Sequence, residues 1–324
     1  MKLVKKLLNK INGLHHKQEY LCLAKESFQQ PLHAYLIHNG QRVKDITNLH
    51  LFVGYSPVIF AFSSSLSGIN PAQQTIRVAF SDKELIPNET FSEKDAVAIL
   101  SLKKIHQEMA GGDEIIFYEG TEGRHHFVSK FHQLISQLNN ELYNKKPGNV
   151  FLAGNLYKQV AIAYALPRTI SLVTVGQGQL FNHFPSDLHG KINDQYYIIS
   201  LRYEGKACQQ VEAAGQLVIS NMQPFAYKKV YSLGKNHMQP LKDRSVFDFD
   251  PATSRNFQLP LPRDPQSYKE LKLETSFIYG IHKLLVFKIV HEEKISESAT
   301  LAHIHNCYAE WRYKQGKSSN YLLR

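Results

Sequence analysis

An α+β protein built of two units is predicted from three observations. The chain has 324 residues, about twice the common single-domain size. Its hydrophobic fraction of 43% supplies enough apolar side chains for two cores, and no Pro/Ser/Gln-rich or strongly charged block points to a long disordered segment. The pattern also changes near residue 150, from mixed strands and helices to many short strands with one helix. The units are therefore placed at 1–150 and 151–324.

In the first unit, Leu3, Leu7, Leu8 and Ile11 fall on one helical face with Lys2, Lys5, Lys6 and Lys10 elsewhere, the pattern of a surface helix. LHAYLIHNGQRV, SPVIFAF and QTIRVAF are β-rich, and Asn39-Gly40 is a hairpin signal. Ser92, followed by Glu93 and Asp95, predicts a helix start before AVAILSLKKIHQEM, ended by Gly111-Gly112 ahead of the strand EIIFY. Phe127, Phe131, Leu134, Ile135, Leu138 and Leu142 form an apolar helical stripe. It stops before NKKPGN, where Pro147-Gly148 cannot continue it.

The second unit reads as the strands RTISLVTV, QLFNHF, QYYIISL, GQLVIS and IHKLLVFKIV, with ACQQVEAAG a short helix closed by Gly215. Many short strands with few helices predict a barrel or sandwich. A loop carrying Pro251, Pro260, Pro262 and Pro265 is long enough to pass over a neighbouring subunit. A shift of about 138 positions brings the hairpin at Asn39-Gly40 near that at Gly176–Gly178 and VIFAF onto YYIIS. The first unit is thus an α/β domain or, alternatively, a degenerate second barrel-like unit.

Composition removes several function classes. No apolar run is long enough to cross a bilayer, and the lysine-broken start lacks a signal-peptide core. Three widely separated cysteines, Cys22, Cys208 and Cys307, suit a reducing cytoplasm better than a disulfide framework or an iron–sulfur site. A net charge of +10 favours an anionic partner, but the basic residues are dispersed among carboxylates, which argues against nucleic acid. Gly176-x-Gly178 lacks the third glycine and the helix of a dinucleotide fingerprint, so it reads as a hairpin turn. The pairs His15-His16, His125-His126 and His303 with His305 have no metal-ligand spacing. Nucleophile elbow, Walker A and H-E-x-x-H motifs do not occur.

The segment from Pro167 to Met222 resembles the flavin reductase-like family. Leu172-Val173-Thr174, Asn182, Phe184, Ser186, Ser200-Leu201, Gly215 and Asn221 fall in that family's order. NLYKQVAIAYALPRT resembles its opening and GIHKLLVFKIV its late strand, so the likeness spans about 153–324. Ile281 beside His282 replaces the family's Asp, and Asn193-Asp194-Gln195 replaces its Asp-Pro-Pro. The resemblance implies an FMN-binding split β-barrel with a smaller-helix insert, and a homodimer with flavin held between subunits. It also implies NADH or NADPH as co-substrate.

The residues themselves suit FMN. Ser200, Arg202 and Lys206 offer hydroxyl and cationic donors for a phosphate where a strand turns into a helix start. Asn182, His183, Phe184, Pro185 and Ser186 offer polar edges beside an aromatic wall for the isoalloxazine. His282 is the candidate catalytic residue, at most orienting a dinucleotide or touching the flavin edge. The expected activity is an NAD(P)H-dependent flavin reductase. A non-catalytic flavin-binding module and a pyridoxamine phosphate oxidase-like oxidase are the alternatives.

Overall fold

The computed structural model describes residues 20–24, 32–38, 41–84, 91–143, 150–316 and 321–323. The predicted helix at the start of the chain, the Asn39-Gly40 turn and the NKKPGN stop lie outside these residues. The first half contains β1 (Tyr20–Ala24), β2 (His33–His38), β3 (Gln41–Asp45), β4 (Leu51–Tyr55), β5 (Val58–Ser63), α1 (Ser64–Ser67), β6 (Thr75–Ser81), β7 (Ala98–Ala110), β8 (Asp113–His125) and α2 (Lys130–Tyr143). Next come α3 (Leu156–Ala163), β9 (Arg168–Thr169), β10 (Ser171–Gln177), β11 (Leu180–Ser186), β12 (His189–Lys191), β13 (Tyr196–Arg202), α4 (Lys206–Ala214) and β14 (Gln216–Met222). The remainder is α5 (Tyr227–Ser232), β15 (Lys242–Asp243), β16 (Phe249–Thr253), β17 (Pro260–Pro262), β18 (Pro265–Tyr279), β19 (His282–Lys294), β20 (Leu301–His305), α6 (Asn306–Lys314) and β21 (Tyr321–Leu323).

Two large antiparallel sheets with a few helices make the protein α+β. The first has seven strands in the order β3-β2-β6-β7-β8-β5-β4. The second has eight, β12-β13-β19-β18-β14-β10-β11-β15. Taken from its other edge and without β15, the second repeats the first strand for strand: β11-β10-β14-β18-β19-β13-β12. Register repeats as well. Ala61 faces Phe117 and Ser63 faces Ile115 in the first sheet, as Ile198 faces Val286 and Ser200 faces Leu284 in the second. The first half thus repeats the strand order of the second, in line with the weak internal repeat.

The copies pack on each other through equivalent positions. Ile59, Ala61, Ile115 and Phe117 join Tyr196, Ile198, Leu284 and Val286 in one buried cluster, so each copy presents the same four places to the other. The hairpin tips are exchanged too. A Cβ on Gly111 would meet Tyr196 and Gln195, and one on Gly280 would meet Ser56 and Pro57. Such mutual contact is the signature of two-fold pairing, realised here inside one chain.

One predicted element is corrected. AVAILSLKKIHQEM is not a helix but the long strand β7, between β6 and β8. The Ser92 capping box supports only a single 3₁₀ turn, Glu93–Asp95. Gly111 and Gly112, at φ 62° and 86°, do not end a helix; they form the two-residue positive-φ turn that closes the β7–β8 hairpin. Ala98, Leu100 and Leu102 alternate into the core, and pairing on both edges overrides helical propensity.

Two other predicted helices form, α2 and α4. Gly215 caps α4 at φ 63°, and Gly178 sits in the β10–β11 turn at φ 61°. On α2, Phe131, Leu134 and Leu138 of the predicted stripe are exposed. The residues after 150 do not leave the first core at once: Val160, Ile162, Ala163 and Leu166 pack with Phe52, Phe60 and Tyr118. The proline-rich loop folds on its own chain, where Phe249, Leu259 and Leu261 cover Phe181, Val218 and Tyr268. Fully buried Glu270 fastens it by accepting hydrogen bonds from the Asn256 and Phe257 backbone N–H groups and from Asn256 Nδ2. Among the described residues no helix is long and apolar enough to cross a membrane.

Candidate functional site

A cavity of about 400 Å³ opens between the two sheets, within the range of small-molecule sites. From the first copy it takes Thr47, Asn48, His50, Leu51 and Phe52, the segment entering β4. From the second it takes Arg168, Asp187, His189, Lys191, Tyr197 and Lys269. A second cavity of about 450 Å³ shares Thr169, Asn221 and Lys269 with it.

Arg168 is its most unusual group. Pairing of β9 with β20 fixes the Arg168 backbone opposite His303. The side chain is only 4% exposed, with its guanidinium carbon 3.8 Å from the Tyr164 ring centroid. Nη1 donates to Asp187 Oδ2 at 2.6 Å, while buried Nε and Nη2 have no hydrogen-bond partner in the protein. Leaving charged donors unmet away from water is costly, which makes Arg168 an under-satisfied cation beside the cavity. The same Asp187 oxygen meets His303 Nε2 at 2.9 Å. Burial alone would raise the Asp187 pKa, but the Arg168 charge and the His303 hydrogen bond outweigh it and hold the carboxyl well below the usual range.

His189 presents a neutral ring. Its Nε2 lies 3.0 Å from the Ser186 carbonyl, which only accepts, so Nε2 carries the proton and Nδ1 accepts from Tyr197 O–H at 2.7 Å. Burial pushes its pKa down to about 4. Lys191 and Lys269 both reach Glu292, at 2.9 and 2.7 Å.

The residues singled out from sequence do not line this cavity. Asn182 is buried, and its Nδ2 donates to Gln210 Oε1 and the Asn236 carbonyl. His183 Nδ1 pairs with Thr174 Oγ1 at 3.0 Å. Phe184 packs on the His237 ring at 4.8 Å, and the Pro185 carbonyl accepts from His237 Nε2. This run is therefore covered by the turn that follows α5. Ser186 is nearest the cavity, through its carbonyl bond to His189. Arg202 and Lys206 are exposed, and Arg202 Nη2 donates to Tyr55 Oη at 2.5 Å.

Ser200 and His282 come together at the contact between copies. Tyr55 N–H donates to His282 Nε2 at 3.1 Å, which puts the ring proton on Nδ1, 3.0 Å from Ser200 Oγ. The ring's tautomer is thus set without the neighbouring carboxylate. Asp113, at the matching place in the first copy, accepts from Ser63 Oγ at 2.5 Å and Asn193 Nδ2 at 3.2 Å. Nε2 ties His282 to the first copy, while Nδ1 ties it to Ser200 of its own copy. We expect His282→Ala to cost on the order of 1–3 kcal/mol, the range for leaving buried partners unmet, while flavin affinity is retained. Urea unfolding and an FMN titration check this; unchanged stability would show that the contact is dispensable.

The cavity was missed in sequence because its lining comes from seven separated segments. Arg168 stood in view at the start of a predicted strand, but a lone cation there reads as surface.

No family model and no curated protein matches the chain. Solved structures do. The NADH:FAD oxidoreductase of Streptomyces globisporus is 12% identical, with 49% of this chain and 95% of that one aligned at a TM-score of 0.42. The flavin reductase component of a bacterial two-component tryptophan halogenase is 15% identical over 52% and 98%, at 0.41. An FMN-binding protein from Thermus thermophilus, solved with 1-cyclohex-2-enone, is 17% identical over 40% and 71%, at 0.36.

Proposed function

We propose that the protein binds FMN in the cavity between its two copies and acts as an NAD(P)H-dependent flavin reductase-like oxidoreductase. The observation that carries this is Arg168, a buried cation with two unmet donors on the wall of a ligand-sized cavity. A phosphate monoester meets such donors in a charge-assisted, directional way. Phe52 and Tyr197 supply flat apolar surface for a planar ring system, and Lys191 and Lys269 add positive potential. Arg168 fits the phosphate better than Arg202 and Lys206, which are exposed and line none of the cavities described here. Arg202 instead holds Tyr55.

Bound FMN would supply the redox chemistry, accepting a hydride from reduced nicotinamide. The chain binds and orients. Neutral His189 keeps its proton on the Ser186 carbonyl and offers no acid, in line with a site that aligns two cofactors instead of moving protons. Asp187 fixes the Arg168 fork.

Purified protein is expected to bind FMN, with a perturbed visible spectrum, and to oxidise NADH or NADPH faster when flavin is added. A preparation that fails to bind FMN in titration loses the cofactor assignment. Binding without nicotinamide oxidation leaves the non-catalytic flavin module.

A further inference from the structure

The first copy has no motif of its own, yet it repeats the second strand for strand and meets it through equivalent residues. We infer that the chain is its own partner: the first copy supplies the half-site that a second subunit would otherwise bring, giving one ligand site per chain and no need of a second chain. For the identity of the ligand this rests on the FMN proposal.

The pairing is complete within the chain. Ile59, Ala61, Ile115 and Phe117 cover Tyr196, Ile198, Leu284 and Val286, and each hairpin tip seats on the opposite copy's turn. The polar ties match as well: Tyr55 with His282 on one side of the contact, Asn193 with Asp113 on the other. A contact saturated in this self-complementary way leaves no like face for a further copy.

The two copies are not equal as half-sites. Leu100 pairs with Val78 and Gly123 as Lys269 pairs with Ile219 and Glu292, and Phe60 pairs with Tyr118 as Tyr197 pairs with Phe287. The first copy therefore has Phe60 and Leu100 where the second has the cavity's Tyr197 and Lys269. Phe60 is packed against Phe52 and His50, at ring separations of 5.5 and 5.8 Å. Leu100 is fully buried and packs with Phe60 in the first copy's core. Only one of the two equivalent places joins both copies around a phosphate-binding cation.

The test combines mass and stoichiometry on the full chain. Light scattering, with and without FMN, should give the 37.1 kDa of one chain, and an FMN titration should saturate at one equivalent. Asn48→Trp, an exposed first-copy residue on the cavity rim, should weaken FMN about tenfold or more by filling the mouth of the site. Lys103→Trp, on the exposed side of β7, should leave affinity unchanged. A dimeric mass, two FMN per chain, or wild-type affinity in Asn48→Trp would each overturn the inference. If FMN does not bind at all, the flavin assignment fails and mass alone decides: one chain keeps the self-paired assembly, two remove it.

Discussion

Acidification from pH 7 to about 4.5 is expected to unfold the protein through its buried histidines, before most carboxylates are protonated. Burial holds the pKa of His125, His189 and His282 down to about 4 and that of His183 to about 3, against about 6.5 in an unfolded chain. Between these values the unfolded state binds more protons, so stability rises with pH there. The contribution is complete above about pH 6.5 and is lost as pH falls through the folded values. At ~1.4 kcal/mol per unit, each ring withdraws on the order of 3 kcal/mol, and four together match the ~5–15 kcal/mol that a domain has to lose. Trp311 fluorescence and circular dichroism against pH give the measurement. His125, whose Nδ1 has no partner and whose ring stacks on Phe127 at 5.1 Å, is the place for a variant: His125→Phe should lower the acid midpoint. Stability that stays level from pH 7 to 5 would contradict the assignment of neutral buried rings.

Loss of the Arg168 charge should weaken FMN by about 10- to 150-fold, the span of a buried charge-assisted bond worth ~1.5–3 kcal/mol. Removing it alone would leave Asp187 uncompensated and unsettle the fold. The informative protein is therefore Arg168→Met combined with Asp187→Asn, in which the amide still accepts from its neighbours. Riboflavin, with no phosphate, should lose much less than FMN. Arg168→Lys should recover part of the difference, since it restores charge without the planar fork. Equal losses for both flavins would mean that Arg168 does not meet the phosphate.

Elements governed by local chemistry were legible in the sequence. Gly178 needs positive φ in a two-residue turn and Gly215 needs it at a helix end, and both act where they were placed. The strands of the second copy followed their alternation. β7 was not legible because Ser92 and Gly111-Gly112 bracket it as a helix would be bracketed, while the sheet neighbours that decide its state are distant in sequence. The duplication left almost no identity because packing positions tolerate exchange of apolar residues: Ile59 answers to Tyr196 and Ala61 to Ile198. The site was least legible. Asn182 to Pro185 were singled out for their polar and aromatic mixture, but Asn236 and His237 cover Asn182, Phe184 and Pro185 internally, and that cover comes from an insertion whose return path no local pattern specifies.

The pairing of β1 with β20, which sets Cys22 opposite His303, has a consequence for synthesis on the ribosome. Tyr20–Ala24 leaves the exit tunnel early, yet the strand that receives it is made more than two hundred residues later. At ~5–20 residues per second the wait is roughly 15–55 s, far longer than a hairpin needs to close. The first large sheet has that time to form, while the second is complete in sequence only at Lys294, just before the receiving strand. The strip joining the chain's beginning to its end therefore fastens last, as a clasp on two halves already in place, and a nascent chain stopped short of Leu301 leaves that clasp open.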